Sequence, residues 1–168
     1  PFAIDTDEDG YWRVLPEAGG GGALMDIGSH RLDLFLRMFG SVADVKAQCS
    51  TVAAIYQADD VSTLALRFES GIHGLLHCCF GSSTDPDEFA ILGTNGRLVS
   101  RPLNGGELII EHGREQIIEQ HPPASNFNSP LIADFSAAIL ESRAPLITGK
   151  SGRDVNLVME QAYAGSRQ

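Results

Sequence analysis

Tight-turn sequences divide the middle of the chain into short segments with the period of a β-strand. The turns are Glu69-Ser70-Gly71, Gly93-Thr94-Asn95-Gly96 and His112-Gly113, and apolar residues flank each of them. A connection this short joins antiparallel neighbours, because parallel strands need a crossover of about a dozen residues or more. The chain is therefore expected to form a mostly antiparallel meander of about six or seven strands.

Helices are predicted on both sides of these strands. From Ala23 to Phe39 apolar residues recur at about 100° per residue, and Gly40 ends the pattern. A second helix begins at Ser129-Pro130, and a third opens at Ser151-Gly152-Arg153-Asp154, which resembles a capping box. The apolar face of the first helix consists of Leu24, Ile27, Leu34, Phe35 and Met38. The expected buried residues are Leu131, Phe135, Ala138 and Ile139 in the second helix, and Val155, Val158, Met159 and Ala162 in the third.

This order of elements predicts an α+β fold, with an open, mostly antiparallel sheet and helices on one face. The other face of such a sheet can stay in water, or it can lie against a second copy of the chain. With 168 residues the chain can bury one substantial core, so residues 1–168 are expected to form a single domain.

Composition excludes several classes of partner. The formal net charge is -10, and the 12 basic residues are scattered singly, which argues against binding to nucleic acid. The three cysteines, Cys49, Cys78 and Cys79, have no spacing typical of a disulfide framework or zinc site and fit a reducing compartment. No apolar run approaches the roughly 18 residues of a membrane span, and no leader opens the chain. We expect a soluble cytoplasmic protein without a membrane partner.

The first predicted helix carries an acid and an imidazole directly after a run of four glycines. Asp26, His30, Asp33 and Arg37 follow i, i+4, i+7 and i+11 spacing and form one polar stripe. A carboxylate one turn from an imidazole can accept the ring N–H, fix the tautomer and leave the other nitrogen free for proton transfer. The glycines let a backbone or a ligand approach closely and direct helix N-terminal amides at an anion. An ordinary surface pair of Asp26 and His30 has the same spacing.

Arg13 and His77 are the other candidate binding residues. Arg13 follows Trp12 and could bind a carboxylate, a hydroxyl-rich substrate or a phosphate, or pair with Asp9 or Glu17. His77 could point from a sheet face into a pocket, or be an ordinary hydrogen-bonded histidine.

Neither a metal site nor a dinucleotide site is predicted. His73 and His77 share a strand face but lie roughly 13 Å apart, too far to ligate one ion. No G-x-G-x-x-G motif fits any register, and the segment Thr148-Gly149-Lys150-Ser151 lacks the first glycine of a P-loop. No cofactor-binding residue is therefore assigned.

Three stretches of the sequence resemble one oxidoreductase family. The segment YWRVLPEAGGGGALMDIGSHRLDLFLRMFG resembles the Trp-Arg … Gly-Gly-Gly-x-Leu-x-Asp-x-Gly-x-His-x-x-Asp signature of the glucose-fructose oxidoreductase, inositol dehydrogenase and MocA (Gfo/Idh/MocA) family. The segments AILGTNGRL and FSAAILESRAPLITGKSGRDVNLVMEQAYAGSRQ resemble a turn and the two closing helices of the same family. The resemblance implies a C-terminal domain of the dihydrodipicolinate-reductase-like type, without the N-terminal Rossmann domain that holds NAD or NADP.

The resemblance also implies roles for individual residues. His30 would be the acid/base that takes the proton from a substrate hydroxyl as hydride leaves for the nicotinamide, and Asp26 would orient that imidazole or hold the substrate. Asp33 and Tyr163 match the family pattern and are interpreted as packing or hydrogen-bonding residues. The family lysine of a Glu-Lys-Pro motif belongs to the missing domain. The isolated chain is therefore expected to bind no cofactor and to be inactive.

Three hypotheses of function follow. The leading one is a substrate-binding and oligomerisation domain of an NAD(P)-dependent dehydrogenase acting on a sugar, a polyol or a related substrate, assembled as a homo-oligomer through the open sheet face. The second is a non-catalytic binding or dimerisation module that retains the fold. The third, a metal-dependent hydrolase using Asp26 and His30, lacks a third ligand at any recognisable spacing.

Overall fold

The computed structural model describes residues 9–84 and 86–166, which divide into two compact units. The first unit contains the described residues up to Ser83 together with those from Ile147 onward, and the second contains those between Thr84 and Leu146. The single domain expected over residues 1–168 stays a prediction.

The first unit contains the predicted first helix, three strands and the last helix. A 3-10 turn (Tyr11–Val14) and a short helix α1 (Pro16–Gly19) precede a π-helical segment (Leu24–Gly28), which we call the π turn and which continues into α2 (Ser29–Phe39). The strands are β1 (Val42–Ser50), β2 (Val61–Phe68) and β3 (His73–Cys79), and the unit closes with α4 (Gly149–Ser166).

These three strands form an antiparallel sheet with β2 in the centre. The predicted turn at residues 69–71 joins β2 to β3: the Phe68 amide donates to the Ile72 carbonyl at 2.9 Å, and Gly71 has a φ of 86°. That positive φ is one that glycine adopts without a steric penalty. The hairpin is therefore confirmed.

One face of this sheet is covered by α2 and α4. The buried side chains of the sheet alternate along β2 and β3 and include Leu64, Leu66, Phe68, Leu76 and Cys78. The predicted buried residues of α4, which are Val155, Val158, Met159 and Ala162, all join the same core and are confirmed. The opposite face is open, with Leu75 71% exposed.

The predicted apolar face of the first helix is wrong in part. Leu32 is fully buried, whereas Ile27 and Met38 are 37% and 48% exposed. Gly28 explains the difference: a Cβ there would lie 2.8 Å from the Cδ1 atom of Leu24 and 3.4 Å from the Sγ atom of Cys78. The helix thus packs closely on β3 at a glycine, and a search for apolar side chains does not find this contact.

The second unit contains four strands and one helix. The strands β4 (Phe89–Gly93), β5 (Gly96–Ser100), β6 (Glu107–His112) and β7 (Glu115–Gln120) pair antiparallel in sequence order, and α3 spans Ser129–Leu140. The predicted turns join β4 to β5 and β6 to β7, with a φ of 155° at Gly96 and 60° at Gly113.

The α+β class with mostly antiparallel strands is confirmed, but the seven strands of the described residues form two sheets instead of one. No strand pairing joins β3 to β4 within the described ranges. The connection between them contains Gly81 and Pro86 and has no alternating apolar pattern, so it offers no ladder that would continue the first sheet.

The predicted buried side of α3 is wrong. Only Ala138 is buried, while Leu131, Phe135 and Ile139 are 52%, 57% and 64% exposed. Helical spacing shows which side of a helix is apolar, but it does not encode the surface that covers that side.

Both closing helices begin earlier than the sequence indicates. The N-cap of α3 is Asn128, so Pro130 lies in the first turn. Thr148 and Ser151 form the reciprocal cap of α4: the Ser151 amide donates to Thr148 Oγ1 at 3.3 Å, and the Thr148 amide donates to Ser151 Oγ at 3.5 Å. The predicted box at residues 151–154 is therefore displaced by three residues.

Candidate active site

The last two of the four glycines pack against Tyr163 and the backbone of Asp59. A Cβ on Gly22 would overlap the Asp59 carbonyl oxygen, and a Cβ on Gly21 would overlap the Tyr163 hydroxyl. Gly20 ends α1 with a φ of 78°. The sequence allowed either a backbone or a ligand to approach these glycines closely. In the structure the backbone of Asp59 approaches Gly22.

Asp59 occupies the amides at the start of the following helix. Its Oδ1 accepts the Gly22 amide and its Oδ2 accepts the Leu24 amide, both at 2.9 Å, while its carbonyl accepts the Ala23 amide at 2.8 Å. An N-terminal cap normally comes from the adjacent residue. Here the cap lies 35 residues from Leu24 along the chain, and the anion that meets these amides belongs to the protein itself.

Two hydroxyl groups complete the surroundings of the Asp59 carboxylate. The Tyr163 hydroxyl donates to Oδ1 at 2.8 Å, and the Ser62 hydroxyl donates to Oδ2 at 2.7 Å. Burial, then the charge of Asp59 and its hydrogen bond, raise the pKa of Tyr163, so its hydroxyl remains a donor at neutral pH. The interpretation of Tyr163 as a hydrogen-bonding residue is confirmed. We call Asp59, Ser62 and Tyr163 the capping cluster.

Asp26 and His30 lie on either side of the junction between the π turn and α2. The Ser29 amide donates to the Leu24 carbonyl, an i to i+5 bond, and the Asp26 amide donates to the Gly22 carbonyl at 2.9 Å. Asp26 is half-buried and His30 is exposed. Within the described part of the chain no hydrogen bond joins the Asp26 carboxylate to the His30 ring. A π turn is wider than the regular α-helical turn on which the predicted stripe depends.

Arg13 lies in the 3-10 turn before the glycines. Its Cζ atom is 5.5 Å from the centroid of the Trp12 ring, which is a cation–π distance. Among the described residues it forms no ion pair with Asp9 or Glu17. The guanidinium is therefore held by an aromatic ring and keeps its hydrogen-bond donors.

His77 lies on the open face of the first sheet. Its Nδ1 atom is 2.9 Å from Thr63 Oγ1 on β2. The neighbouring residues Leu76 and Cys78 point to the covered face, where Gly28 of the π turn contacts them. Side chains alternate along a strand, so His77 points away from the helix that carries His30. The structure does not bring these two histidines together.

A recess of about 640 Å³ lies beside the capping cluster. Its lining includes Gly20, Gly21, Asp59, Glu160 and Tyr163, but none of the four predicted site residues. The recess and the Asp26–His30 pair therefore lie at different places in the first unit.

No group of three or more His, Cys, Asp or Glu side chains in the described ranges could hold a metal ion. No helix of those ranges is long and apolar enough to cross a membrane. The described cysteines Cys49, Cys78 and Cys79 are free.

Sequence reasoning missed the two adjacent acids before β2. Asp60 is fully buried and accepts the amides of Val52, Ala53 and Ala54, each at 2.7 Å. Burial by itself raises the pKa of Asp60, but the three amides lower it by more, so the net shift is downward. The sequence signal that could have identified Asp59 and Asp60 is their position as two successive acids directly before an alternating strand.

Oxidoreductases of known structure share this fold. Aldose-aldose oxidoreductase from Caulobacter crescentus, complexed with glycerol, matches with a TM-score of 0.85 at 24% identity, over 98% of this chain and 50% of that one. Levoglucosan dehydrogenase in complex with NADH matches with a TM-score of 0.82 at 22% identity, over 93% of this chain and 51% of that one. The fold is thus one that forms about half of an oxidoreductase chain.

The chain belongs to the GFO/IDH/MocA family, because the family's C-terminal domain matches residues 2–99. That range includes the glycine run, Asp26, His30 and Asp59. Oxidoreductase P35 from Formosa agariphila is 35% identical over 88 residues, which are 52% of this chain and 26% of that protein. The resemblance noted in the sequence is confirmed.

Proposed function

We propose that this chain is the substrate-binding and oligomerisation domain of an NAD(P)-dependent oxidoreductase acting on a sugar, a polyol or a related hydroxyl or carbonyl substrate. Family membership supports the reaction class. Support for the substrate class comes from two proteins of the same fold, one complexed with glycerol and the other a dehydrogenase of levoglucosan. The observation that carries the proposal is an exposed His30 one turn after a half-buried Asp26, on a helix whose start is fixed from inside the protein.

The described residues do not fit a dinucleotide. Both sheets are antiparallel, so they form no βαβ unit, and Asp59 occupies the amides of Gly22 and Leu24 that could otherwise meet a phosphate. We therefore assign NAD or NADP to a nucleotide-binding half of the parent enzyme. The chain alone is expected to bind no cofactor tightly and to be inactive.

His30 transfers the proton of the substrate hydroxyl in this proposal. Oxidation of a secondary alcohol removes a hydride from carbon and a proton from oxygen, and a neutral imidazole is suited to accept that proton. Asp26 either accepts the N–H of the same ring, which fixes its tautomer, or accepts a substrate hydroxyl. The missing hydrogen bond between Asp26 and His30 is compatible with this role, since such bonds are often long before substrate binds and shorten in the complex.

Arg13 is the proposed substrate-binding residue. It precedes the glycine run, and a Cβ on Gly19 would lie 2.9 Å from the Arg13 Cα atom, so the two segments are packed together. Its guanidinium can donate to the hydroxyls of a sugar. His77 lies on the opposite face of the sheet, and we leave it out of the site around His30.

The open face of the first sheet is the proposed oligomer interface. It presents Ala65 and Leu75, both exposed, beside His77 and Arg67. Sedimentation of the parent enzyme at several concentrations tests this interface, and a protein that stays monomeric throughout rejects it. The three free thiols support a reducing, cytoplasmic location as part of the same proposal.

The test of His30 uses the full-length parent enzyme. Purified enzyme is assayed with a panel of sugars and polyols and with NAD and NADP in turn. His30→Ala should then lower kcat by on the order of 10² to 10⁴. His112→Ala is the matched control, because His112 is also exposed but ends β6 in the second unit, apart from the helix of His30 and from the proposed interface. Equal kcat in wild type and His30→Ala removes His30 from the mechanism, and no turnover of any substrate in the panel favours a non-catalytic binding module.

A further inference from the structure

We propose that Asp59 and Tyr163 are positioning residues for the reaction, which hold the helix segment carrying Asp26 and His30 in its catalytic orientation. This inference rests on the proposed function. Neither residue contacts Asp26 or His30 through a described hydrogen bond, so both act through the backbone of the helix start.

The backbone connection is short. Asp59 holds the amides of Gly22 and Leu24, and the Gly22 carbonyl accepts the amide of Asp26 at 2.9 Å. The Leu24 carbonyl in turn accepts the Ser29 amide, the residue before His30. A shift at the capping cluster is therefore passed directly to both proposed functional residues.

The carboxylate of Asp59 has no acceptor capacity left for a ligand. A carboxylate offers about four lone-pair positions. Oδ1 accepts from the Gly22 amide and the Tyr163 hydroxyl, and Oδ2 accepts from the Leu24 amide and the Ser62 hydroxyl. Asp59 is also largely buried, with 7% of its surface exposed. These facts favour a positioning role for Asp59 over substrate binding.

Tyr163 holds the other side of the glycine run. Its hydroxyl lies where a Cβ of Gly21 would be, so it packs directly on the backbone that leads into the helix. The residue comes from α4 and is 104 residues from Asp59 along the chain. The capping cluster thus joins the glycine run, the start of β2 and α4, and the orientation of the π turn depends on all three.

The tests are Tyr163→Phe and Asp59→Asn in the full-length parent enzyme. Tyr163→Phe removes one donor, and water from the adjacent recess can replace it in part, so we expect kcat to fall about 3- to 10-fold. Asp59→Asn turns one acceptor into a donor that faces an amide or a hydroxyl. We expect kcat to fall about 100-fold, since a misplacement of about 1 Å can cost on the order of 10² in rate.

Matched controls separate positioning from general damage. Tyr56→Phe removes the hydroxyl of another buried tyrosine, which forms no hydrogen bond within the described ranges, and Asp44→Asn neutralises a surface acid. Both should keep wild-type kcat. All variants are assayed well below their unfolding temperature, so that each is fully folded, and the KM for the dinucleotide should stay unchanged.

A double-mutant cycle shows whether Asp59 acts through His30. If it does, Asp59→Asn should lower the residual kcat of His30→Ala by less than about 2-fold, because the group that it positions is gone. A purely structural effect would instead give the same 100-fold loss in both backgrounds. Tyr163→Phe provides the same cycle if Asp59→Asn does not fold.

A second measurement does not depend on turnover. The imidazole signals of His30 in NMR spectra of the enzyme should shift in Tyr163→Phe and stay unchanged in Tyr56→Phe. Wild-type kcat in both cluster variants, additive effects in the cycle, or an unchanged His30 signal would each overturn the inference. If His30→Ala has wild-type kcat, the proposed role of His30 fails, and the His30 signal alone decides whether the capping cluster positions this helix.

Discussion

Replacement of Asp60 by asparagine should destabilise the first unit strongly. The Asp60 side chain is fully buried, and its carboxylate accepts three consecutive amides at 2.7 Å: Val52 donates to Oδ1, and Ala53 and Ala54 donate to Oδ2. Asparagine fills the same volume but has one acceptor oxygen and one NH2 group. In either orientation the NH2 group faces at least one backbone N–H.

The magnitude follows from these three bonds. A hydrogen bond to a charged group contributes about 1.5–3 kcal/mol, and a buried donor left without a partner costs about 1–3 kcal/mol. If asparagine keeps the two amides on one oxygen, loses the third bond and leaves its donor without a partner, the free energy of unfolding should fall by about 2.5–6 kcal/mol. That is a large part of the 5–15 kcal/mol typical of a whole domain.

The same bonds fix the sign of the pH dependence. The net shift in the pKa of Asp60 is downward, because the three amides outweigh the effect of burial. Its stabilising contribution is therefore complete above the unfolded-state pKa, which is about 3.9 for Asp, and is lost as the pH falls through the lower folded-state pKa. Asp60→Asn should remove this part of the acid sensitivity.

Urea unfolding followed by circular dichroism measures both effects, at pH 7 and in steps down to about pH 3. Asp44→Asn is the control: its carboxylate is half-exposed and 3.8 Å from Lys46, so the change should be within about 0.5 kcal/mol. A value for Asp60→Asn within that same 0.5 kcal/mol of wild type would refute the reasoning. The reasoning would also be refuted if Asp60→Asn lost as much stability in acid as the wild type does.

Three further predictions concern packing and thiol reactivity. Gly22→Ala should lower the unfolding midpoint in urea, because its methyl group would overlap the Asp59 carbonyl oxygen; an unchanged midpoint would contradict the packing described. Leu32→Ala should cost about 2–5 kcal/mol in the same assay, and Met38→Ala, at a 48% exposed site, less than about 1. Burial raises the pKa of Cys78 to about 12, so iodoacetamide at pH 8 should label this thiol only after unfolding, as mass spectrometry of peptides can show.

Local sequence was enough to predict the hairpins. Each turn depends on a few adjacent residues, and Gly71 and Gly113 adopt the positive φ values that such turns favour. Which side chains of the helices are buried could not be predicted in the same way. Leu32 is buried and Phe135 is exposed, because burial depends on which surface lies opposite, and the spacing of apolar residues carries no information about that surface.

The residues of the candidate site also differ in how far the local sequence reveals them. Asp26 and His30 could be selected from the sequence because their relation is local, four positions apart on one helix. The cluster that fixes this helix could not, since Asp59 and Tyr163 are 104 residues apart and meet only in the folded chain. Even the local relation was altered, because the π turn between Leu24 and Gly28 replaces the regular helix that the spacing assumes.

The start of the central strand explains how an apparently flexible glycine run becomes a fixed helix origin. Asp59 and Asp60 are consecutive, and their carboxylates bind different segments: the first binds the amides at Gly22 and Leu24, and the second binds those of residues 52–54. The Asp60 carbonyl also accepts the amide of Phe80, which follows β3, at 2.7 Å. The segment directly before the central strand thus binds the start of the helix that carries Asp26 and His30. Glycine is needed there because only a chain without Cβ atoms can lie against the backbone of Asp59.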